Sequence, residues 1–170
     1  MITIRTIKEQ DPATISHAFA QQGWDKPVTL YQQYYAENES GDRVTLIAEQ
    51  DGLFAGYVNV LWQSYYPAFR ENQIPEINDF NVLLKYRRCG IGSKLMDQAE
   101  NIIRERSIVA GIGVGLFSDY GNAQVLYVKR GYVPDGKGIH NGERYVERGE
   151  SVAIDDDLAL YLTKQLKDKS

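Results

Sequence analysis

Residues 82–95 read VLLKYRRCGIGSKL, and this stretch carries more information about fold and function than any other in the chain. Its pattern predicts the end of an apolar strand, a short basic loop with two glycines, and the start of an amphipathic helix. A loop that opens a helix in this way exposes unpaired backbone N–H groups at the positive end of the helix dipole, where a phosphate commonly binds. Arg87 and Arg88 add side-chain charge suited to phosphate oxygens.

Two familiar phosphate-binding loops do not fit this stretch. A Walker loop requires G-x-x-x-x-G-K-[ST], and the spacing of Gly90, Gly92 and Lys94 differs from it. The dinucleotide fingerprint G-x-G-x-x-G requires a third glycine where Leu95 stands. The pattern that remains is R-x-x-G-x-G, which resembles the pyrophosphate loop of the GNAT superfamily of acyl-CoA-dependent N-acetyltransferases. A capped helix with a basic first turn is the alternative interpretation of the same residues.

A second stretch, SDYGNAQVLYVKRGY at residues 118–132, resembles the other signature of that superfamily, N-x-x-[AS]-x-x-[LF]-Y-x-x-x-G-[FY]. The match departs at its first position, where Tyr120 replaces asparagine, while Asn122 follows two residues later. The resemblance implies that the asparagine contacts the coenzyme, and we expect Asn122 to supply that contact from a shifted turn. Two signatures in the correct order favour membership of the superfamily far more than either does alone.

The composition is that of one ordinary globular domain spanning residues 1–170, with 43% hydrophobic and 25% charged residues. No apolar run approaches the roughly 20 residues of a membrane span, and the first residues lack a signal-peptide pattern. A single cysteine, Cys89, excludes an intramolecular disulfide and suits the cytoplasm. The net charge of −4 gives no general attraction to nucleic acid. His17 and His140 have no spacing partner, so we expect no metal site.

Hydrophobic periodicity and turn residues predict alternating strands and helices along nearly the whole chain. Strands are predicted at 2–7, 44–50, 53–62, 76–84, 109–117 and 158–166, with weak strand signals in 134–157. Helices are predicted at 11–22, 28–39, 90–106 and 123–130, and residues 64–75 as an aromatic-rich loop.

This element order matches the GNAT arrangement, and the resemblance implies the fold class α/β (α+β). The implied architecture is a single-domain GNAT fold. It has a mixed, mostly antiparallel sheet of about six to seven strands flanked by about four helices, with a splayed parallel pair holding the coenzyme.

Glycines alternate with apolar residues in the strand predicted at 109–117, at Gly111, Gly113 and Gly115. Interior glycines weaken a strand and mark the close approach of another backbone or a ligand. Two interpretations are open: the helix at 90–106 packs on this bare face, or, as the resemblance implies, the pantetheine arm of the coenzyme fills the space beside it.

Acyl transfer to an amine requires that the amine lose a proton, that the oxyanion be held, and that the leaving thiolate be protonated. The resemblance implies that Tyr127 is the general acid facing the coenzyme sulfur; the alternative is a tyrosine that only fills a helix–sheet interface. For the general base the resemblance to family members with a glutamate at this place on the strand implies Glu76, which we favour, acting directly or through a water, with Asp79 as the second candidate. A solvated carboxylate at a strand start is the alternative for both. Cys89 lies in the phosphate loop, where a nucleophile is not expected.

The resemblance also implies the coenzyme-binding residues. The pyrophosphate is held by the loop and the helix start, namely Arg87, Arg88, Cys89, Gly90, Ile91, Gly92 and Ser93. The pantetheine is aligned by Phe80, Asn81 and Val82.

The acceptor is the least readable part of the sequence. Aromatic residues that suit an alkyl-ammonium group through cation–π contact are Tyr65, Tyr66, Phe69, Trp24, Trp62, His140 and Tyr145, and the same residues also suit core packing. The predicted function is an N-acetyltransferase that uses acetyl-CoA as cosubstrate and acts on a primary amine of a small molecule or peptide. A non-catalytic acyl-CoA sensor is the alternative, and a homodimer is left open.

Overall fold

The computed structural model describes residues 1–167. They form two compact units, one made of Met1–Trp62 with Ile77–Arg106, and the other of Gln63–Glu76 with the chain from Ser107 onward.

The first unit contains the N-terminal strands and three helices. Its elements are β1 (Ile2–Thr6), α1 (Asp11–Gln21), α2 (Val28–Ser40), β2 (Arg43–Gln50), β3 (Leu53–Leu61), most of β4 (Glu76–Val82), a 3-10 turn (Leu84–Tyr86) and α4 (Ile91–Ile103). The strands lie in the order β1-β2-β3-β4. β1 and β3 both pair antiparallel to β2, with Ile4 opposite Ala48 and Ile47 opposite Tyr57.

Local sequence signals explain how these elements begin and end. Pro12 occupies the first turn of α1, where its missing N–H is not needed. α2 ends at Gly41, whose φ of +84° is the left-handed conformation that glycine adopts without strain. Asp51 and Gly52 both have positive φ (52° and 82°), as a two-residue type I′ hairpin between β2 and β3 requires.

The core of the first unit is rich in aromatic residues. Its buried members are Ile7, Ile15, Phe19, Tyr31, Tyr34, Ile47, Tyr57 and Leu83. Four of the eight are aromatic, and the ring of Tyr31 meets those of Tyr34 and Tyr57 edge to face at 5.8 and 5.4 Å between centroids. Such pairs add about 0.5–1.5 kcal/mol beyond their area burial.

The second unit contains α3 (Pro67–Glu71), β5 (Val109–Gly115), a 3-10 turn (Ser118–Tyr120), α5 (Gly121–Lys129), β6 (Val133–His140) and β7 (Ala159–Gln165). The strands lie in the order β5-β7-β6, and both pairs are antiparallel, with Ile112 opposite Leu162. The four helices predicted from the sequence are present; α3 is a fifth, short helix inside the segment expected to be a loop.

Candidate functional site

The basic loop before α4 has the backbone conformation that its glycines predict. Arg88 and Gly90 both have positive φ, 62° and 82°, and Cys89 lies between them. A residue other than glycine rarely adopts this conformation without local support. The side chains of Arg87, Arg88 and Cys89 are exposed. The loop therefore turns sharply and presents two guanidinium groups to solvent.

The start of α4 is open to an anion. Gly90 is the N-cap residue and has no side chain to cap the helix, and the first turn contains no acidic residue. The first intrahelical hydrogen bond runs from Lys94 N–H to the Gly90 carbonyl at 3.1 Å. The N–H groups of Ile91, Gly92 and Ser93 therefore precede the hydrogen-bonded ladder and point out of the helix start. Together with the helix dipole they form a site that suits a phosphate group.

The two glycines of the G-x-G pattern serve different purposes. Gly90 supplies the left-handed turn, and a Cβ there would meet no atom within 4 Å. Gly92 is limited by space, because a Cβ at this position would lie 3.0 Å from the Cζ atom of Phe80 on β4. The second glycine thus lets the first turn of α4 lie against β4.

Asp79, one of the two candidate bases, is the acceptor of a partly buried hydrogen-bond network in the first unit. The hydroxyls of Tyr34 and Tyr57 each donate to its Oδ2 atom at 2.7 Å, and the Asn81 side-chain amide donates to Oδ1 at 2.8 Å. Because Tyr57 uses its only hydroxyl hydrogen on Asp79, the contact of 3.3 Å between the hydroxyls of Tyr31 and Tyr57 has Tyr31 as donor. Asp79 itself has a φ of +46°.

These tyrosines are held as neutral phenols. Burial, with Asp79 adding to it, raises the pKa of Tyr34 and of Tyr57 well above the usual range. Burial likewise raises the pKa of Tyr31 to about 12. The network therefore keeps its donors at any physiological pH, and the oxygens of Asp79 stay occupied as acceptors.

Glu76, the other candidate base, is 5% exposed and belongs to the second unit. Its Oε1 atom accepts a hydrogen bond of 2.7 Å from the Ser64 hydroxyl. The Ser64 oxygen in turn accepts the backbone N–H of Tyr66 at 2.9 Å. A buried carboxylate is thus oriented by a serine whose own position is fixed by the backbone, as a base that must point in one direction requires.

Tyr127, the candidate acid, lies on α5 and is 5% exposed. Within residues 1–167 its hydroxyl forms no hydrogen bond. The side chain is buried while its hydroxyl oxygen is not fully enclosed, and this phenol is a donor that the described chain does not use. Burial raises the pKa of Tyr127 above its usual range, which keeps the proton on the oxygen.

Asn122 and Tyr120, the residue that replaces the asparagine of the signature, have different surroundings in the structure. Asn122 is exposed in the first turn of α5. The hydroxyl of Tyr120 donates to Asp156 at 2.7 Å, and its ring covers Gly115, whose missing Cβ would lie 2.4 Å from it.

Aromatic rings cover all three glycines of β5. The atoms nearest to the missing Cβ of Gly111 belong to Phe69, at 2.3 Å, and those nearest to Gly113 belong to Tyr161, at 2.8 Å. We had expected either the helix at 90–106 or the pantetheine arm of the coenzyme beside these glycines, and we had not anticipated aromatic side chains. Tyr120, Phe69 and Tyr161 are all residues of the second unit itself.

Several aromatic residues expected as acceptor walls come together in the second unit. Tyr66 contacts Phe69, His140 and Tyr145, at 4.8, 5.2 and 6.2 Å between centroids. It also stacks on Tyr161, which we did not predict, at 3.7 Å and 4°. Its hydroxyl donates to Asp135 at 2.6 Å, another residue that sequence reasoning missed. Leu160 and Leu162 alternate with Tyr161 in β7, which places Tyr161 on the opposite face of the strand. This alternation is the sequence signal that could have identified Tyr161.

The remaining aromatic candidates lie elsewhere. Trp24 stacks on Phe19 at 5.8 Å in the first unit, and Trp62 lies under the guanidinium of Arg106 at 3.9 Å. Tyr65 is 71% exposed. Within residues 1–167, no cluster of three or more His, Cys, Asp or Glu residues could hold a metal ion. No helix in that part of the chain is long and apolar enough to cross a membrane.

Comparison with known proteins adds a family to this geometry. The sequence profile of the Acetyltransferase (GNAT) family matches residues 10–132, while curated proteins give no match. Many solved structures are similar. YncA of Salmonella typhimurium, solved with its cofactor acetyl-CoA, is 18% identical over 99% of this chain and 96% of its own, with a TM-score of 0.69.

Two further neighbours have comparable coverage. The ribosomal-protein-S18-alanine N-acetyltransferase of Escherichia coli is 14% identical over 100% of this chain and 97% of its own, with a TM-score of 0.67. Ard1 of Thermoplasma volcanium is 19% identical over 98% and 99%, with a TM-score of 0.70. At these identities the likeness shows the fold, and it confirms the predicted GNAT fold, a mixed sheet of six to seven strands with a parallel pair, flanked by helices.

Proposed function

Because the chain belongs to the Acetyltransferase (GNAT) family of acetyl-CoA-dependent acyltransferases, we propose that it transfers the acetyl group of acetyl-CoA to a primary amine. In this proposal both substrates are bound together, the amine attacks directly, and no covalent enzyme intermediate forms. Residues 1–170 act as one catalytic domain in the cytoplasm.

The observation that carries this proposal is the unused hydroxyl of Tyr127. A tyrosine that only filled space could be a phenylalanine, whereas this one holds a protonated, unpaired donor on a residue that is 5% exposed. Thiolate departure requires such a donor, because the sulfur gains negative charge as its bond to the acetyl carbon breaks. Tyr127 is therefore proposed as the general acid that faces the sulfur.

The residues of the first unit fit the coenzyme. The N–H groups of Ile91, Gly92 and Ser93 and the exposed guanidiniums of Arg87 and Arg88 are donors suited to a pyrophosphate. Phe80, Asn81 and Val82, at the end of β4, are proposed to align the pantetheine, and Cys89 and Asn122 to contribute coenzyme contacts.

Glu76 is the stronger candidate for the base. The oxygens of Asp79 already accept three hydrogen bonds, and its proposed role is therefore structural. Glu76 is buried, and the Ser64 hydroxyl orients its Oε1 atom. It is proposed to take the amine proton, directly or through a water.

The proposed reaction balances as follows. The ammonium of the acceptor gives one proton to Glu76, and the neutral nitrogen attacks the acetyl carbon. A nitrogen–carbon bond forms while the carbon–sulfur bond breaks, and the departing sulfur receives a hydrogen bond or the proton of Tyr127. The second proton of the attacking nitrogen leaves to solvent, and the proton held by Glu76 returns through solvent to the oxygen of Tyr127, or to the sulfur where Tyr127 has only hydrogen-bonded it. The products are an N-acetylamine, coenzyme A as the thiol and one proton, and both side chains regain their starting states.

The test compares Tyr127→Phe with Tyr132→Phe, which removes a hydroxyl from a neighbouring buried ring 6.2 Å away. Thiol release is followed with a panel of amines, and acetyl-CoA affinity by calorimetry. General acid catalysis contributes about 10²–10⁴-fold, so Tyr127→Phe should lose at least about 100-fold in kcat with little change in acetyl-CoA affinity. Tyr132→Phe should keep kcat within a few-fold of the parent protein.

Acetyl-CoA binding without thiol release by the parent protein on any amine would instead support the acyl-CoA sensor. Arg87→Ala and Arg88→Ala test the loop separately. Each should weaken acetyl-CoA binding by about 10-fold, the loss of one charge-assisted contact. Arg148→Ala, an exposed arginine of the second unit, should leave the affinity unchanged.

A further inference from the structure

The second unit contains a cluster of four rings and two carboxylates, formed by Tyr66, His140, Tyr145, Tyr161, Asp135 and Glu76; it is called the ring–carboxylate cluster below. The Tyr66 and Tyr161 rings are nearly parallel at 3.7 Å, and His140 meets the ring of Tyr66 edge to face at 5.2 Å and that of Tyr145 at 5.1 Å. Aromatic faces carry partial negative charge and attract ammonium groups.

The carboxylates make this cluster electronegative. Asp135 accepts hydrogen bonds from the Tyr66 hydroxyl and the Lys137 backbone N–H, at 2.6 and 3.0 Å. Within residues 1–167 it forms no ion pair with a lysine or arginine. Burial, with the carboxylates of Glu76, Asp157 and Asp135 adding to it, raises the pKa of Tyr161 above its usual range. The negative charge is therefore not compensated at Asp135.

His140 provides an independent sign of a ligand. It is 4% exposed, and its Nδ1 atom accepts the Gly142 N–H at 3.1 Å, so the ring proton is on Nε2. Burial lowers the pKa of His140, which keeps the ring neutral. In the described part of the chain the Nε2–H donor has no hydrogen-bond partner. A donor atom on a ring that is 4% exposed, beside three tyrosine rings, is placed to meet an acceptor atom of a bound molecule.

We propose that the ring–carboxylate cluster binds the acceptor, and that the acceptor is a small molecule with two ammonium groups. This inference rests on the proposed acetyl transfer. The reacting ammonium must give its proton to Glu76 before it attacks, so it cannot supply the lasting positive charge that the cluster favours. A second ammonium keeps its proton throughout, pairs with Asp135 and lies against the tyrosine rings.

The test compares 1,4-diaminobutane with 4-aminobutan-1-ol, which has the same length and reacting amine but a hydroxyl in place of the second ammonium. We expect kcat/KM to be at least about 10-fold higher for the diamine, because a desolvated cation–π contact and a charge pair each contribute at this level. Asp135→Asn keeps an oxygen acceptor for Tyr66 and removes the charge, and should bring this ratio close to one. Glu143→Gln, an exposed residue between His140 and Tyr145 in the chain, should preserve the ratio.

Equal kcat/KM for the two amines, or an unchanged ratio in Asp135→Asn, would overturn the inference. If neither amine is turned over, binding of 1,4-diaminobutane is measured by calorimetry in the presence of coenzyme A, and no binding also overturns it. Failure of the proposed function is distinguishable, because acetyl-CoA would then fail to bind, or no amine in a broad panel would release thiol.

Discussion

The phenol of Tyr57 donates a hydrogen bond of 2.7 Å to the Oδ2 atom of Asp79, and this pair links β4 to the aromatic core of the first unit. Asp79 stands in the left-handed region next to Phe80, the first residue proposed to align the pantetheine. The network therefore supports an unusual backbone conformation on β4, directly before the residues proposed to align the pantetheine.

Removing the Tyr57 hydroxyl should destabilise the protein while leaving its packing volume nearly unchanged. In Tyr57→Phe, Asp79 loses one donor and the donors of Tyr31 and Asn81 lose an acceptor. Hydrogen bonds to charged groups contribute about 1.5–3 kcal/mol, and we expect a loss of this size in the free energy of unfolding from urea titration. Tyr35→Phe on α2, whose hydroxyl has no partner in residues 1–167, should change it by less than about 0.5 kcal/mol. Equal losses in the two variants would show that the network is not stabilising.

Features set by a few adjacent residues were predictable from the sequence. The hairpin at Asp51 and Gly52 and the turn before α4 depend on residues with positive φ. Glycine and the residue beside it predict such a conformation from the local sequence alone. Periodicity likewise located the four longer helices to within a few residues. α3 was missed because five residues are too few to show a helical period.

The candidate site could be predicted from the sequence only in part, because only some of its features depend on adjacent residues. The loop proposed to bind the pyrophosphate is continuous in sequence, and its two glycines determine its local geometry. The stacking of Tyr66 on Tyr161 and the hydrogen bond from Tyr66 to Asp135 join distant parts of the chain. No local pattern encodes such pairs, because strand pairing and packing of the second unit bring them together. The network on Asp79 was hidden for the same reason.

The contribution of Gly90 to acetyl-CoA binding can be measured separately from the backbone strain that a substitution there introduces. Gly90 and Gly52 share a φ of +82°, and a Cβ at either position meets nothing within 4 Å. Alanine in the left-handed region costs about 1–2 kcal/mol, so Gly90→Ala and Gly52→Ala should lose similar stability in urea titrations. Only Gly90→Ala should also weaken acetyl-CoA binding, measured by calorimetry, because it alone alters the loop proposed to bind the pyrophosphate. Equal acetyl-CoA affinity in the two variants would contradict a specific role for the turn.

The ring of Phe69 leaves no space for a side chain at Gly111. An alanine Cβ would lie 2.3 Å from Cε2 of Phe69, which is 1% exposed and itself packs on Tyr66 and Tyr161. Overpacking of this kind costs about 1–3 kcal/mol, and Gly111→Ala should lower the free energy of unfolding by that amount. Gly121→Ala is the matched control, because its Cβ meets nothing within 4 Å and the residue begins α5. That variant should be neutral or more stable by up to about 1 kcal/mol, and a comparable loss in both would argue against the ring contact.

His140 should make stability depend on pH in the mildly acidic range. Burial lowers its pKa in the folded protein, so below the ordinary value of about 6.5 the unfolded chain binds a proton that the folded protein does not. The free energy of unfolding then has its full value above pH 6.5 and falls as the pH drops, by at most about 1.4 kcal/mol per pH unit for one proton.

His140→Asn keeps an acceptor for the Gly142 N–H and removes the titrating ring. The free energy of unfolding, measured at pH 7.5 and 5.5, should fall less in His140→Asn than in the parent protein, whereas His17→Asn on the exposed side of α1 should show the parental fall. Burial raises the pKa of Tyr66 and of Tyr161, which both contact His140, so these two rings do not titrate in this range. An identical fall in the parent protein and in His140→Asn would assign the dependence to carboxylates instead.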